Sequence, residues 1–165
     1  MYKIVDNLLE DKIVNEMYET MLSTNFPWFF TKKANVNSEQ NKTSCHFFHT
    51  FYTNDNKVGS INSSYFDMIR PIIDKLNHKV LIRVKANLFL FNAIEHNHGM
   101  HKDQEFDHKG AIFYINTNNG YTKLGNGLKI ASVKNRLLLF NSSEAHESVN
   151  CTDKSVRLNI NFNFF

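Results

Sequence analysis

In the last ten residues of the chain, Val156, Leu158, Ile160 and Phe162 alternate with Arg157, Asn159, Asn161 and Asn163. Side chains of a β-strand repeat every two residues, so this segment is a strand with one apolar face and one face carrying a cation and amides. In a solvated sheet the polar face looks out. In a barrel with a wet interior it looks in, and the period by itself leaves both open. Residues 81–91, 110–116, 128–133 and 136–140 also read as strands, separated by polar turns with no helix between them. Several short strands in succession argue for a sandwich or a barrel.

The first half reads differently. Leu8, Leu9, Ile13, Val14, Met17, Met21 and Leu22 recur at helical spacing, which predicts a helix over 6–22 with one buried face. Pro27 breaks the pattern, because proline disfavours helix at the residue before it. Residues 31–44 are polar and read as a loop, 46–52 as a strand, and 65–76 as a second helix despite Pro71. The 165 residues fit one domain, 1–165, with 1–80 as helical support and first strands and 81–165 as the core barrel. A domain of this size buries roughly 70% of the surface its unfolded chain exposes, enough to enclose a site.

Composition excludes several classes. Hydrophobic residues at 42% and charged residues at 21% leave no room for a disordered or fibrous chain. A net charge of +3 is far from the basic clustering of a dedicated nucleic-acid binder, yet suits an anionic small molecule. Cys45 and Cys151 are distant in sequence and have no C-x-x-C spacing, which argues against a disulfide framework or a thiolate zinc site. Asp6 stands where a secretion signal needs bases, and no apolar run reaches the roughly 20 residues of a membrane span. The expectation is a cytoplasmic protein without a membrane partner.

Chemistry concentrates in Glu95-His96-Asn97-His98-Gly99-Met100-His101-Lys102-Asp103, between two strands. His101 and Asp103 fall on the same side of an extended segment. His146, in a turn after the strand ending at Phe140, is the best third ligand. Two histidines and one carboxylate on a triangular face form the facial triad of non-haem Fe(II) oxygenases. His96-x-His98 resembles the opening of a cupin metal motif but lacks the glutamate expected a few residues later, so both are read as exposed loop residues.

These residues carry a resemblance. Ala86-Asn87-Leu88, His101-x-Asp103, Ile112-Phe113-Tyr114-Ile115-Asn116, Asn119-Gly120-Tyr121-Thr122, Leu138-Leu139-Phe140, His146 and Arg157 occur in the order and spacing of the Fe(II)- and 2-oxoglutarate-dependent dioxygenases. The chain looks most like the small, prolyl-hydroxylase-like members carried by tailed bacteriophages, whose setting would be the host cytoplasm. The resemblance implies a mainly β fold, a double-stranded β-helix of the jelly-roll or cupin type with N-terminal helices packed on one side. It implies Fe(II), 2-oxoglutarate and O2, with ascorbate as a supporting reductant, and decarboxylation of 2-oxoglutarate to succinate coupled to hydroxylation. His101, Asp103 and His146 would bind the metal.

In the family a basic residue on the last strand pairs with the far carboxylate of 2-oxoglutarate, and Arg157 matches that position; a guanidinium fork suits a carboxylate bidentately. Tyr114 matches a phenol that donates to the same group, and Asn87 is a third cosubstrate candidate. Phe91 stands where relatives often have tyrosine. Asp107, His108, Lys109 and the loop 31–44 are candidate walls of the substrate mouth. Asp103 is retained where halogenating relatives have a small residue, which favours hydroxylation or oxidative demethylation. Asn163 stands where alkylation-repair relatives place a second arginine, which weakens nucleic acid as a substrate in favour of a peptide, protein or small molecule. The competing readings are a metal hydrolase or isomerase on a cupin-like barrel with no use for Arg157, and a catalytically silent binding module.

Overall fold

The computed structural model describes residues 1–32, 45–55 and 58–165. Its elements run β1 (Lys3–Val5), α1 (Asp11–Leu22), β2 (Phe29–Thr31), β3 (His46–Asp55), β4 (Val58–Ile61), α2 (Phe66–Ile73), β5 (Leu81–Leu90), β6 (Lys109–Tyr114), β7 (Tyr121–Leu124), β8 (Lys129–Ala131), β9 (Arg136–Asn141), β10 (His146–Val149) and β11 (Val156–Phe164). The long sheet has the order β1-β9-β6-β11-β5-β3-β2, with β4 on β3, and the short one β10-β7-β8. Isolated bridges Asn97↔Val149 and His101↔His146 lay the segment before Asp103 beside β10 and widen the short sheet.

Strand β11 settles the question its alternation left open. Leu158, Ile160, Phe162 and Phe164 are buried in the core formed with Val14, Met17 and Met21 of α1 and Ile69, Ile72 and Ile73 of α2. Arg157, Asn159, Asn161 and Asn163 are buried too, on the opposite face. The helices therefore cover the outside of the long sheet, and the amides and arginine look inward between the sheets. Neighbouring β5 repeats the design. Val84, Ala86 and Leu88 pack toward the helices, leaving Arg83, Lys85, Asn87 and Phe89 inside. A smaller apolar cluster, with Ile112, Leu138 and Phe140 from the long sheet and Leu124 and Ile130 from the short one, holds the two sheets together at one end.

The expected helices are shorter than their apolar patterns. Ile4 and Val5 pair with Leu138 and Leu137 as β1, an edge strand too short to show a period of two, so α1 begins only at Asp11. Asn135, with a positive φ of 63°, ties the turn before α1 to the barrel through bonds to Leu9 N and O of 3.0 and 2.7 Å. His146 lies not in a turn but at the start of β10, a four-residue strand whose Glu147 and Ser148 mask its alternation. Residues 33–44 of the loop expected at the substrate mouth lie outside the described residues.

Candidate metal centre

His101 and His146 face each other across an antiparallel bridge, and Asp103 follows two residues on. One ligand atom from each of the three can be chosen so that all lie within 4.8 Å of one another. His101 Nε2 is 3.9 Å from Asp103 Oδ1, and His146 Nε2 is 3.8 Å from Oδ2. The orientation of both rings is fixed from behind. His101 Nδ1 donates to Gly99 O at 3.2 Å and His146 Nδ1 to Glu144 O at 3.0 Å. A carbonyl can only accept, so Nδ1 carries a proton and Nε2 is the nitrogen turned toward the carboxylate. Cis ligands of a first-row metal stand about 3 Å apart, so shifts of about 1 Å would close this set around an ion. Two imidazoles and a carboxylate, with the Nε2 atoms deprotonated on binding, fit Fe(II).

The carboxylate is held hard. Asp103 Oδ1 accepts from Arg83 Nη2 at 2.9 Å, and Oδ2 accepts from Ser142 Oγ at 2.5 Å, Asn163 Nδ2 at 2.9 Å and Asn161 Nδ2 at 3.1 Å. Burial alone would raise its pKa. The charges of His146 and Arg83 and the bonds from Ser142 and Asn163 outweigh burial and hold it well below the usual carboxylate range. Burial pushes His101 down to about 4, with the His146 charge adding to it, so the ring is neutral and able to ligate near neutral pH.

Arg157 is fully buried. Its Nε donates to Ser132 Oγ at 2.8 Å and Nη2 to Thr122 Oγ1 at 3.2 Å, whereas Nη1 has no partner. Its guanidinium carbon lies 5.3 Å from the Phe89 ring centroid and 5.8 Å from that of Tyr114. Among the described residues it forms no ion pair, and burial lowers its pKa. Gly120 gives it room: a Cβ there would stand 2.6 Å from Arg157 Cδ. Tyr114, fully buried, donates to the same Thr122 hydroxyl at 2.8 Å. Asn87 donates to its register partner Asn159 at 3.1 Å, and both line a pocket of about 50 Å³ together with His101, Asp103 and His146.

Other expectations are corrected. Phe91 is 53% exposed beyond the end of β5, and Phe89 takes the inward place. His98 is no exposed loop residue. The bond from its N to Ser148 O fixes it beside β10, its ring packs 4.6 Å from Phe89, and burial pushes its pKa down to about 3. His96 is half-buried. Asp107, His108 and Lys109 line a larger cleft of about 810 Å³ that contains none of the three candidate ligands. His108 instead backs Asn163, with Nε2 at 3.1 Å from its amide.

Sequence reasoning missed Arg83 and Lys85, although residues 83–89 show the same alternation that exposed Arg157. It placed Thr122 within a motif without giving it a role, and it missed Ser132, Ser142 and His46, single hydroxyls and a ring that no motif distinguishes. Burial lowers Lys85 to about 8, so it stays mainly cationic at neutral pH.

No family model and no curated protein sequence matches the chain. Solved structures do match. A collagen prolyl hydroxylase of Paramecium bursaria Chlorella virus 1, as its 2-oxoglutarate complex, has a TM-score of 0.67 at 11% identity, covering 98% of this chain and 94% of that one. An oxidoreductase of the 2-oxoglutarate–Fe(II) oxygenase family from Burkholderia pseudomallei has a TM-score of 0.72 at 10% identity, over 99% of this chain and 84% of that one. A prolyl hydroxylase of Trichoplax adhaerens, in complex with a hypoxia inducible factor peptide, has 0.62 at 16% identity, over 99% and 83%. The fold is that of the 2-oxoglutarate oxygenases. At such identities the likeness speaks for the double-stranded β-helix, and the chemistry has to be argued from the residues themselves. Among the described residues no helix is long and apolar enough to cross a membrane.

Proposed function

We propose that the protein is an Fe(II)- and 2-oxoglutarate-dependent dioxygenase that hydroxylates a peptidyl side chain or a small amino-acid-like molecule. The observation that carries this reading is Arg157, a fully buried guanidinium with an unpartnered Nη1 in the same inter-sheet space as two imidazoles and a carboxylate. A buried cation with no counter-charge costs stability unless a ligand supplies one. A metal hydrolase on the same barrel has no use for it. A diacid with a keto group at one end fits both parts of the site, its keto acid at a metal and its far carboxylate at Arg157.

His101, Asp103 and His146 would hold the ion on one triangular face, leaving the opposite positions open. When bound, iron and 2-oxoglutarate supply the oxidising chemistry, in which O2 converts the cosubstrate to succinate and CO2 and inserts oxygen into a C–H bond. The protein does the positioning. Arg83, Ser142, Asn161 and Asn163 keep Asp103 ionised and fixed. Arg157 offers its fork to the far carboxylate, and the Tyr114 hydroxyl, now on Thr122, is near enough to the guanidinium to join it. The buried walls keep water from the reacting groups.

A peptide is favoured as substrate because the Trichoplax neighbour was solved holding one. Nucleic acid is disfavoured because the Asn163 amide is spent on Asp103, His108 and Ser142. A viral neighbour accords with a phage-encoded enzyme working in host cytoplasm. The test is the stimulation of 2-oxoglutarate turnover. It should be slow alone and rise with a protein or peptide fraction of cell extract; stimulation by methylated oligonucleotides that salt abolishes would point to a repair enzyme instead.

A further inference from the structure

Lys85 is the cation of the pocket that the three candidate ligands line. It stands on the inward face of β5, between Thr50 of β3 and Asn161 of β11 in register. Of the residues lining the pocket, Lys85 is the one with a fixed positive charge and Asp103 the one acid. Asp103 is already served by Arg83, Ser142, Asn161 and Asn163. Lys85 makes no hydrogen bond or ion pair among the described residues. His46 lines the same pocket, stacked on Phe89, and is buried with Nδ1 also unpartnered; the Lys85 charge reaches its ring.

Arg157 and Lys85 are set apart along the barrel. Arg157 pairs in register with Phe89 and Asn161 with Lys85, four positions along the strand, about 13 Å between backbones at roughly 3.3 Å per residue, and Arg157 is not among the residues lining the pocket that holds Lys85. The Asp103 charge acts on Lys85 without forming an ion pair with it, so the pocket holds a cation with no acid in contact.

We propose that Lys85, with His46 in the same pocket, anchors an anionic group of the substrate, a carboxylate or a phosphate, on the β3 side of the metal triad. This rests on the dioxygenase reading above and narrows its substrate to one with a negative charge near the reacting C–H bond. The ammonium meets the anion, and His46 Nδ1 offers a second contact.

The full chain, loaded anaerobically with Fe(II) and 2-oxoglutarate, is titrated calorimetrically with inorganic phosphate, with N-acetylglycine, and with uncharged N-acetylglycinamide; the same titrations are run on metal-free protein. One of the two anions binds and the amide does not, and the tighter anion assigns carboxylate or phosphate. Lys85→Met weakens that anion about thirty-fold or more, Lys85→Arg keeps most of its affinity, and 2-oxoglutarate binds Lys85→Met unchanged. Absence of binding by either anion, equal binding of the amide, or a matching loss of 2-oxoglutarate affinity in Lys85→Met overturns the assignment, the last giving Lys85 to the cosubstrate. If wild-type protein takes up no 2-oxoglutarate yet binds the anion through Lys85 without metal, the anchor stands and the dioxygenase reading falls.

Discussion

His101 and His146 sit directly opposite each other and exchange two backbone hydrogen bonds, each of 2.9 Å. Close pairing of two strands therefore sets both rings against Asp103, and each ring is steadied by a backbone carbonyl two residues before it. Strand pairing alone therefore brings the three candidate ligands together.

His101→Ala and His146→Ala should each abolish stoichiometric Fe(II) binding in an anaerobic titration, whereas His96→Ala should bind iron like the wild type. Undiminished affinity in the His146 variant would place the third ligand elsewhere.

Stability of the metal-free protein should fall as pH falls from about 6.5 to about 4. Burial lowers His46 and His101 to about 4 and His98 to about 3, so in this window the unfolded chain binds protons that the folded one refuses. Asp103 adds a further loss below about 3.9, the unfolded carboxyl value, as the pH drops toward its depressed folded value. The urea midpoint measured across this range shows the slope, and His98→Phe should flatten it. A midpoint independent of pH would contradict the burial of these rings.

Much of this was legible in the sequence, and the reasons are local. The alternation from Val156 to Phe164 located Arg157 and the amides that share its face, because a strand with one polar and one apolar face writes two clean registers; that the polar face looks inward is visible only in the closed barrel. His101-x-Asp103 and His146 were legible as chemistry, but not the strand that pairs the two histidines, since β10 is four residues long with a charged interior. His98 looked exposed because nothing in a glycine- and asparagine-containing stretch announces a backbone bond to Ser148. Arg83 and Ser142 were invisible for a similar reason: their partner Asp103 is 20 and 39 residues away, and only the closed barrel brings them to it.

Arg157→Ala should weaken 2-oxoglutarate by two to three or more orders of magnitude, the consequence of removing one partner of a buried charge pair at about 3–5 kcal/mol. Iron affinity should hardly change, and Arg157→Lys should recover part of the loss because an ammonium has no fork. Arg157→Met should leave the ligand-free protein as stable as the wild type or more so, since it removes a buried cation without a counter-charge. Calorimetry with 2-oxoglutarate and thermal unfolding without it check the two halves.

Gly120→Ala should act through Arg157. The added methyl would stand 2.6 Å from Arg157 Cδ and 2.9 Å from Val149 O on β10, so the arginine or the strand must move. The expected cost is about 1–3 kcal/mol of stability, with lower 2-oxoglutarate affinity measured at a temperature where the variant is folded. Unaltered cosubstrate affinity would show that Arg157 does not depend on this close approach.

The most direct measurement is succinate formation from 2-oxoglutarate under O2, with Fe(II) and ascorbate, by wild type and by His146→Ala. The account predicts succinate from the wild type, matched by loss of 2-oxoglutarate and absent in the variant. Wild-type protein that binds iron but neither binds nor consumes 2-oxoglutarate, or succinate formed equally well without His146, would contradict it.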